Sequence, residues 1–306
     1  MKVSVVVPNY NYAPYLKERL RSVLGQTVRN LELLYIDDAS TDASNDVARN
    51  VAQNDTRMII DVRETNSGGP YWTWNEAAAR ASGEWLWFAG ADDTACPTFL
   101  EEMLSLAERH PQAGILRSDF LRMNGSGQVV DRGSDDRTRR WKDAADYAES
   151  GPAEIVYAAL STYATASSLL LRRDVFAACG GFDARIPLSA DTLLYLRMVA
   201  RSGTAYRARP LTAYRDHAGS VTRSAATGAT EISKCFCMAK ALAILTDLGV
   251  TSGTERRILE RYMRFRLNSA RCSTGGRIAA EAQWMVPQIL EQVPRGHGMD
   301  WLRSGA

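Results

Sequence analysis

Four short apolar runs in the first hundred residues end in polar or acidic side chains. Val3 to Val7 leads into Pro8-Asn9-Tyr10-Asn11, and Leu31 to Ile36 leads into Asp37-Asp38-Ala39-Ser40-Thr41-Asp42. Met58 to Val62 is followed by Glu64-Thr65-Asn66-Ser67-Gly68, and Trp85 to Phe88 by Gly90-Ala91-Asp92-Asp93. An ionised Asp offers lone pairs to N–H donors and hard oxygen to cations. Ligands of parallel α/β sheets bind at the carboxyl ends of the strands. If the four runs are neighbouring parallel strands, their polar ends converge on one crevice.

The segments between the runs have a helical period. Tyr15, Leu16, Leu20, Val23 and Leu24 recur at helical spacing, and Asp42 stands where it caps a helix continuing through Val47 and Val51. A βαβ series of this kind predicts an α/β fold with a mostly parallel sheet covered on both faces. After Pro97 the pattern predicts a helix to His110, a strand around Ile115 to Leu121 and a turn at Asn124-Gly125-Ser126-Gly127. Asp131 to Lys142 is dense in Asp and Arg and reads as a solvated loop. Thr165 to Leu171 reads as a buried strand, Ala190 to Ala200 as a helix, and Ala205 to His217 as one or two closing strands. From Gly228 the pattern is helical, with Leu242, Leu245, Leu248, Ile258, Leu259, Tyr262, Phe265 and Leu267 as candidate buried positions.

The 306 residues, 45% hydrophobic and 24% charged, are enough for one large core or two modest ones. A formal net charge of +2 is too mild for whole-protein nucleic-acid binding. The five cysteines are scattered, without the paired spacing of a zinc site or a disulfide framework, and fit a reducing cytosol best. The first residues are too short an apolar stretch for a signal-peptide core, and no apolar run approaches the roughly 18 residues of a membrane span. The expected location is cytoplasmic, with room for peripheral contact at the inner membrane face.

The segments VVVPNYN, IDDASTD, TNSGG and FAGADD, in this order and spacing, resemble the nucleotide-binding half of family 2 glycosyltransferases with the GT-A fold. The resemblance continues through Gly180-Gly181-Phe182-Asp183, a helix carrying Asp191, and Tyr214-Arg215-Asp216-His217, so it spans about residues 1 to 220. It implies a GT-A catalytic domain over 1–227, with a nucleotide-binding half (1–95) and an acceptor half (96–227), followed by a helical accessory region (228–306). The implied reaction is inverting transfer of a sugar from a nucleotide diphosphate donor, preferably a UDP-sugar, to a hydroxyl acceptor. That acceptor is a glycan, a lipid-linked glycan or a small-molecule glycoside. The C-terminal helices offer a surface for a homodimer.

By the same resemblance, Pro8, Asn9, Tyr10 and Asn11 line the nucleoside pocket, and Asp38 or its neighbour Asp37 accepts a hydrogen bond from the base. Asn66 and Gly68 shape the adjoining loop. Asp92 and Asp93 resemble the family's acidic metal motif, which holds Mn²⁺ or Mg²⁺ against the donor phosphates, with Asp92 also beside the nucleotide. His217 is a further candidate metal ligand. Asp191 is the candidate base that takes the acceptor proton, and a helix N-terminal Asp is the competing reading. Three departures stand out: Gly90 and Ala190 replace acidic residues common in relatives, and Tyr71, Trp72 and Trp74 occupy a segment that usually carries an Arg. These aromatics either pack in the core or stack on the ligand. Arg215 and Arg223 could neutralise phosphate charge, and the arginines of 256–266 form a solvated face or one that meets anionic lipid. Two other readings are a nucleotide-sugar binding protein without turnover and a sugar-phosphate nucleotidyltransferase. The second should show a Gly-rich, Arg-containing loop after the first strand, where this chain has PNYNYAP.

Overall fold

The computed structural model describes residues 1–53, 55–132, 146–160, 165–186, 189–220, 228–274 and 280–292. The chain divides into two compact units. The first comprises Met1–Glu149, Ala164–Phe182 and Ser202–His217; the second comprises Ser150–Tyr163, Asp183–Arg201 and Ala218–Ala306.

The first unit is built on one sheet. Its strands are β1 (Val3–Asn9), β2 (Leu31–Asp37), β3 (Met58–Val62), β4 (Trp85–Phe88), β5 (Thr94–Ala95), β6 (Ile115–Asn124), β7 (Val129–Arg132), β8 (Asp146–Glu149), β9 (Leu169–Arg172) and β10 (Thr204–Asp216). The order is β3-β2-β1-β4-β9-β6-β10-β5, with β7 paired to β6 and β8 to β10. Strands β1 to β4 run parallel, as the alternation with helices requires, while β9 runs antiparallel to both β4 and β6. β1 is buried along both faces, which explains its near-continuous valine run rather than an alternating pattern. The parallel register sets Asn9 opposite Asp37 and Val6 opposite Phe88, so the polar ends of β1, β2 and β4 lie at one level.

Helices α1 (Ala13–Leu24), α2 (Ser44–Ala52), α3 (Pro70–Arg80), α4 (Phe99–Arg109) and α6 (Arg173–Ala178) belong to this unit. α1 buries Leu16, Leu20 and Val23 in a core that includes Val5, Leu33, Trp87, Phe99 and Leu116. Asp42 does act at a helix start: it accepts the Ser44 N–H of α2 at 2.9 Å, and its other oxygen accepts the Ala13 N–H at the start of α1 at 3.0 Å. Two local expectations differ from the structure. Val129–Arg132 forms a strand that takes in the first two residues of the expected solvated loop, because Leu121 to Met123 of β6 offer it an edge to pair with. Residues 133–142 of that loop lie outside the described residues. Ala166–Ser168 form a 3₁₀ turn before β9 rather than extending the strand; small Ala and Ser side chains permit it, and the Ser168 N–H closes it on Thr165 O at 2.9 Å.

The second unit is helical: α5 (Pro152–Ala159), α7 (Ala190–Ser202), α8 (Gly228–Asp247), α9 (Thr254–Thr274) and α10 (Val286–Gln292). α8 packs on α9 and α10 and against α5. Leu242, Leu245, Leu259 and Leu267 are buried as expected, but Leu248, Ile258 and Phe265 are exposed. The reason is phase. α9 buries Leu259, Met263, Leu267 and Ala270, a stripe at helical spacing that Ile258 and Phe265 flank, and Leu248 falls beyond the end of α8. Among the described residues no helix is long and apolar enough to cross a membrane.

Candidate functional site at the strand ends

The loops after β1 and β2 are laced together. The Asn11 amide N–H donates to Ser40 Oγ at 2.9 Å, and Asn11 Oδ1 accepts from the Thr41 N–H at 2.8 Å. Asn11 and Ala39 both sit in the left-handed region, at φ 62° and 64°. For Ala that conformation costs about 1–2 kcal/mol, a strain that clusters at functional loops. Asp37 is fully buried, and its carboxylate accepts from Asn9 Nδ2 (2.8 Å), Tyr35 Oη (3.0 Å), the Ser40 N–H (2.7 Å) and Asn45 Nδ2 (3.2 Å). Its role in this geometry is to tie the two loops. Asp38 binds the third strand's loop: it accepts the Ser67 N–H at 2.9 Å and the Ser67 hydroxyl at 2.8 Å, and pairs with Arg63 at 3.3 Å. Asn66 donates to Asp38 O at 2.9 Å and accepts the Gly68 N–H at 2.8 Å, and Gly68 has the φ of +83° that favours glycine. The Tyr10 ring is 47% exposed. Asn9 is buried, and its Oδ1 has no hydrogen-bond partner among the described residues.

The fourth strand end is held differently. Asp93 Oδ1 accepts the Arg215 N–H at 2.9 Å, and the Arg215 guanidinium donates to Asp92 O at 2.7 Å and to Glu18 at 2.6 Å. Arg215 is thus buried within the chain's own network rather than presented to a phosphate; Arg223 lies outside the described residues. Asp92 Oδ2 meets His217 Nε2 at 3.1 Å, and the imidazole packs against the rings of Tyr15 and Tyr12 at 4.6 and 5.6 Å between centroids. Burial and the neighbouring Asp92 charge push the Asp93 carboxyl well above the ordinary range, against Arg19 and the hydrogen bonds from Ser167 and Arg215. Arg19, invisible to the motif reading, is fully buried beside this pair, and burial brings its guanidinium down to about 10. The signal that could have found it is a lone Arg on the apolar stripe of α1, between Leu16 and Leu20.

Asp92, Asp93 and His217 are not gathered as one donor cluster: among the described residues no group of three or more His, Cys, Asp or Glu is placed to hold a metal. Asp92 and His217 do fit a divalent ion as a pair, one hard oxygen and one imidazole nitrogen facing each other. Asp93 turns inward to Arg215 and Ser167 and supports them.

The aromatic segment splits between its two readings. Tyr71 and Trp74 pack with Phe88, Phe176 and Phe182, including stacked pairs Tyr71–Phe182 at 5.3 Å and Trp74–Phe88 at 5.2 Å. Trp72 is 55% exposed and lines an open cavity of about 530 Å³ with Arg63, Ser67, Asn75 and Glu76. Asn75 fixes the Gly-Gly-Phe segment by donating to Phe182 O at 2.7 Å and accepting the Phe182 N–H at 3.0 Å. A Cβ on Gly181 (φ +64°) would stand 2.7 Å from Asn75 Oδ1, which accounts for glycine there.

Asp191 lies in the first turn of α7 in the second unit, half-buried, where its Oδ1 accepts the Thr192 N–H at 2.7 Å. That is the geometry of a carboxylate at a helix N-terminus.

Residues 4–122, which contain all four strand ends, match the family model of glycosyl transferase family 2. An uncharacterized glycosyltransferase of Nostoc sp. is 30% identical over 136 residues, 44% of this chain and 41% of that protein. The poly(ribitol-phosphate) beta-N-acetylglucosaminyltransferase TarS of Staphylococcus aureus is 32% identical over 129 residues, 42% of this chain and 22% of that protein. The match therefore spans less than half the length of these curated relatives. In structure, TarS 1–349 in complex with UDP-GlcNAc superposes with a TM-score of 0.70 at 18% identity, covering 96% of this chain and 82% of that one. A mannosyltransferase from Pyrobaculum calidifontis in complex with GDP-Man and Mn²⁺ gives a TM-score of 0.53 at 16% identity, covering 95% and 73%. The strand-end loops thus lie inside the segment that matches glycosyl transferase family 2, and the chain shares the fold of these glycosyltransferase structures.

Proposed function

We propose that the chain transfers a sugar, with inversion, from a UDP-sugar to a hydroxyl acceptor, the first 227 residues forming the catalytic domain and 228–306 an accessory helical region. The observation that carries this reading is the Asp92–His217 pair beside buried Asp93, at the same sheet edge as the left-handed loops of Asn11 and Ala39. The base lies against Tyr10 and between Pro8 and Asn11. The unpartnered Asn9 Oδ1 is ready to accept a base N–H; leaving such an acceptor dry costs about 1–3 kcal/mol. Asp38, with Asn66 and Gly68, walls the nucleoside side, and Trp72 offers an aromatic face to the donor. UDP is favoured over GDP because the more similar neighbour is the one bound to UDP-GlcNAc.

Asp92 and His217, supported by Asp93, would hold Mn²⁺ or Mg²⁺, which supplies Lewis-acid stabilisation of charge on the departing diphosphate. In the reaction the acceptor oxygen forms its bond to the anomeric carbon as the bond to the diphosphate oxygen breaks. Its proton passes to the Asp191 carboxylate, and the electron pair leaves with the nucleoside diphosphate. A lipid-linked acceptor would be met from the cytoplasmic membrane surface; α9 exposes Ile258 and Phe265 beside Arg257 and Arg261.

Calorimetric titration of UDP with and without Mn²⁺, on the wild type and on Asp92→Asn and Asp191→Asn, tests the assignment. Tight binding that needs both the metal and Asp92, with Asp191→Asn binding normally but transferring nothing, is the expected outcome. Normal turnover by either variant removes its assigned role, and binding of GDP in place of UDP moves the donor class.

A further inference from the structure

We propose that Arg19 is a positioning residue for the Asp92–Asp93 turn, and that α1 sets this turn through two consecutive side chains, Glu18 and Arg19. Arg19 is fully buried and lies over the Trp87 ring at 5.3 Å. Its Nε donates to Gly90 O and one terminal nitrogen donates to Ser167 Oγ, both at 2.7 Å. Ser167 Oγ also accepts the Gly90 N–H at 3.0 Å, and its main-chain carbonyl accepts Trp87 Nε1 at 2.9 Å. One guanidinium thus fixes both the carbonyl and, through Ser167, the amide of the residue that starts the turn.

Glu18 holds the opposite limb. It receives Arg215 Nη2 at 2.6 Å, while Arg215 grips Asp92 O through Nε and Asp93 Oδ1 through its main-chain N–H. Gly90 leaves the room this arrangement needs: a Cβ there would stand 3.1 Å from Asp93 Oδ2 and 3.2 Å from Asp92 Oδ1. The two carboxylates therefore take their direction from α1 and not from a side chain at position 90. The same helix follows directly on the Pro8–Asn11 loop, so one rigid element carries the loop at one end and brackets the acidic turn one to two helical turns later. Arg suits the place because it donates two hydrogen bonds in a fixed planar fork; Lys keeps the charge but not the fork.

The test uses Arg19→Lys, Arg19→Met and, as a variant that leaves the charge untouched, Ser167→Ala. Amide hydrogen exchange on the metal-free protein reads the Gly90 and Arg215 N–H groups against amides within β1 and β4. UDP titration with and without Mn²⁺ provides the second readout; this arm alone rests on the donor reading. The expected result is a selective loss of protection of at least about tenfold at Gly90 and Arg215, with a fall of about 10- to 100-fold in the Mn²⁺-dependent part of UDP affinity. Unchanged protection at those amides, or loss only in step with the rest of β1 and β4, overturns the proposal. So does a selective loss that leaves Mn²⁺-dependent UDP binding at the wild-type value. Selective loss in a protein whose wild type binds no UDP sustains the positioning role and removes the donor reading instead. If Arg19→Met does not fold, Arg19→Lys and Ser167→Ala decide the matter.

Discussion

Two strand ends carry consecutive aspartates, Asp37-Asp38 after β2 and Asp92-Asp93 after β4, and the protein treats them differently. Around Asp37 and Asp38 the oxygens are filled by hydroxyl, amide and backbone donors, with Arg63 on the outer carboxylate. The second pair has fewer donors and a fully buried cation, Arg19, at its back. Among the described residues the Asp92 carboxylate pairs with the His217 imidazole, whose charge depends on its proton. A saturated carboxylate pair is a structural tie, because each donor it holds would be left dry without it. A crowded pair with its charge poorly compensated is a place where a positive ligand gains most.

The largest effect that would sharpen this contrast is on catalysis. Asp93→Asn should lower transfer by about 100- to 1000-fold, the size seen when one fixed electrostatic partner is removed, while leaving the thermal midpoint unchanged or raised, because a poorly compensated buried charge is gone. A midpoint that falls instead would place Asp93 with the structural ties. Asp37→Asn should do the reverse. An amide has one acceptor oxygen where the carboxylate has two, so stability should drop by about 2–3 kcal/mol in a denaturant titration, with donor affinity of the folded fraction nearly kept.

Next in size is Trp72→Ala, expected to weaken donor binding by about five- to tenfold through loss of a stacking face, with no change in melting because the ring is already 55% exposed. An unchanged donor KM would make Trp72 an ordinary surface residue. The smallest effect concerns Glu32, a saturated carboxylate distant from the chemistry. Burial works to raise its pKa, but hydrogen bonds from Lys2, Ser4 and Ser82 outweigh it and hold the group down to about 2. A depressed carboxylate stabilises the fold above its ordinary titration range, and that contribution fades as the pH falls toward 2. Glu32→Gln should therefore melt a few degrees lower than the wild type near pH 7, about the size of a single hydrogen-bonding defect, and the gap should begin to shrink below about pH 4 and vanish as the pH approaches 2. A constant gap from pH 7 to pH 3 would deny Glu32 that ionic role.

The strand ends were legible because parallel βαβ units reveal themselves locally. A valine run buried on both faces must end where polar residues begin, so Asn9, Asp37 and Asp92 could be placed at one edge from order and spacing alone. The split of the aromatic segment was not legible. Tyr71, Trp72 and Trp74 are neighbours of similar hydrophobicity, and only the facing Phe88 and Phe182 decide which rings are core. Ile258 and Phe265 were misplaced for a related reason: a helix with apolar residues around more than one face does not state which face its neighbour covers.

What the sequence determined by itself is therefore the succession of strands and helices, the polar crevice at the strand ends and the family that its motifs resemble, since each is written in residues close together along the chain. Tertiary structure alone decided which carboxylates are ties and which face outward. It also decided that Arg19, 71 residues before Gly90 and 148 before Ser167, holds the acidic turn. Those assignments depend on desolvation and on donors brought from distant segments, and no local pattern encodes either.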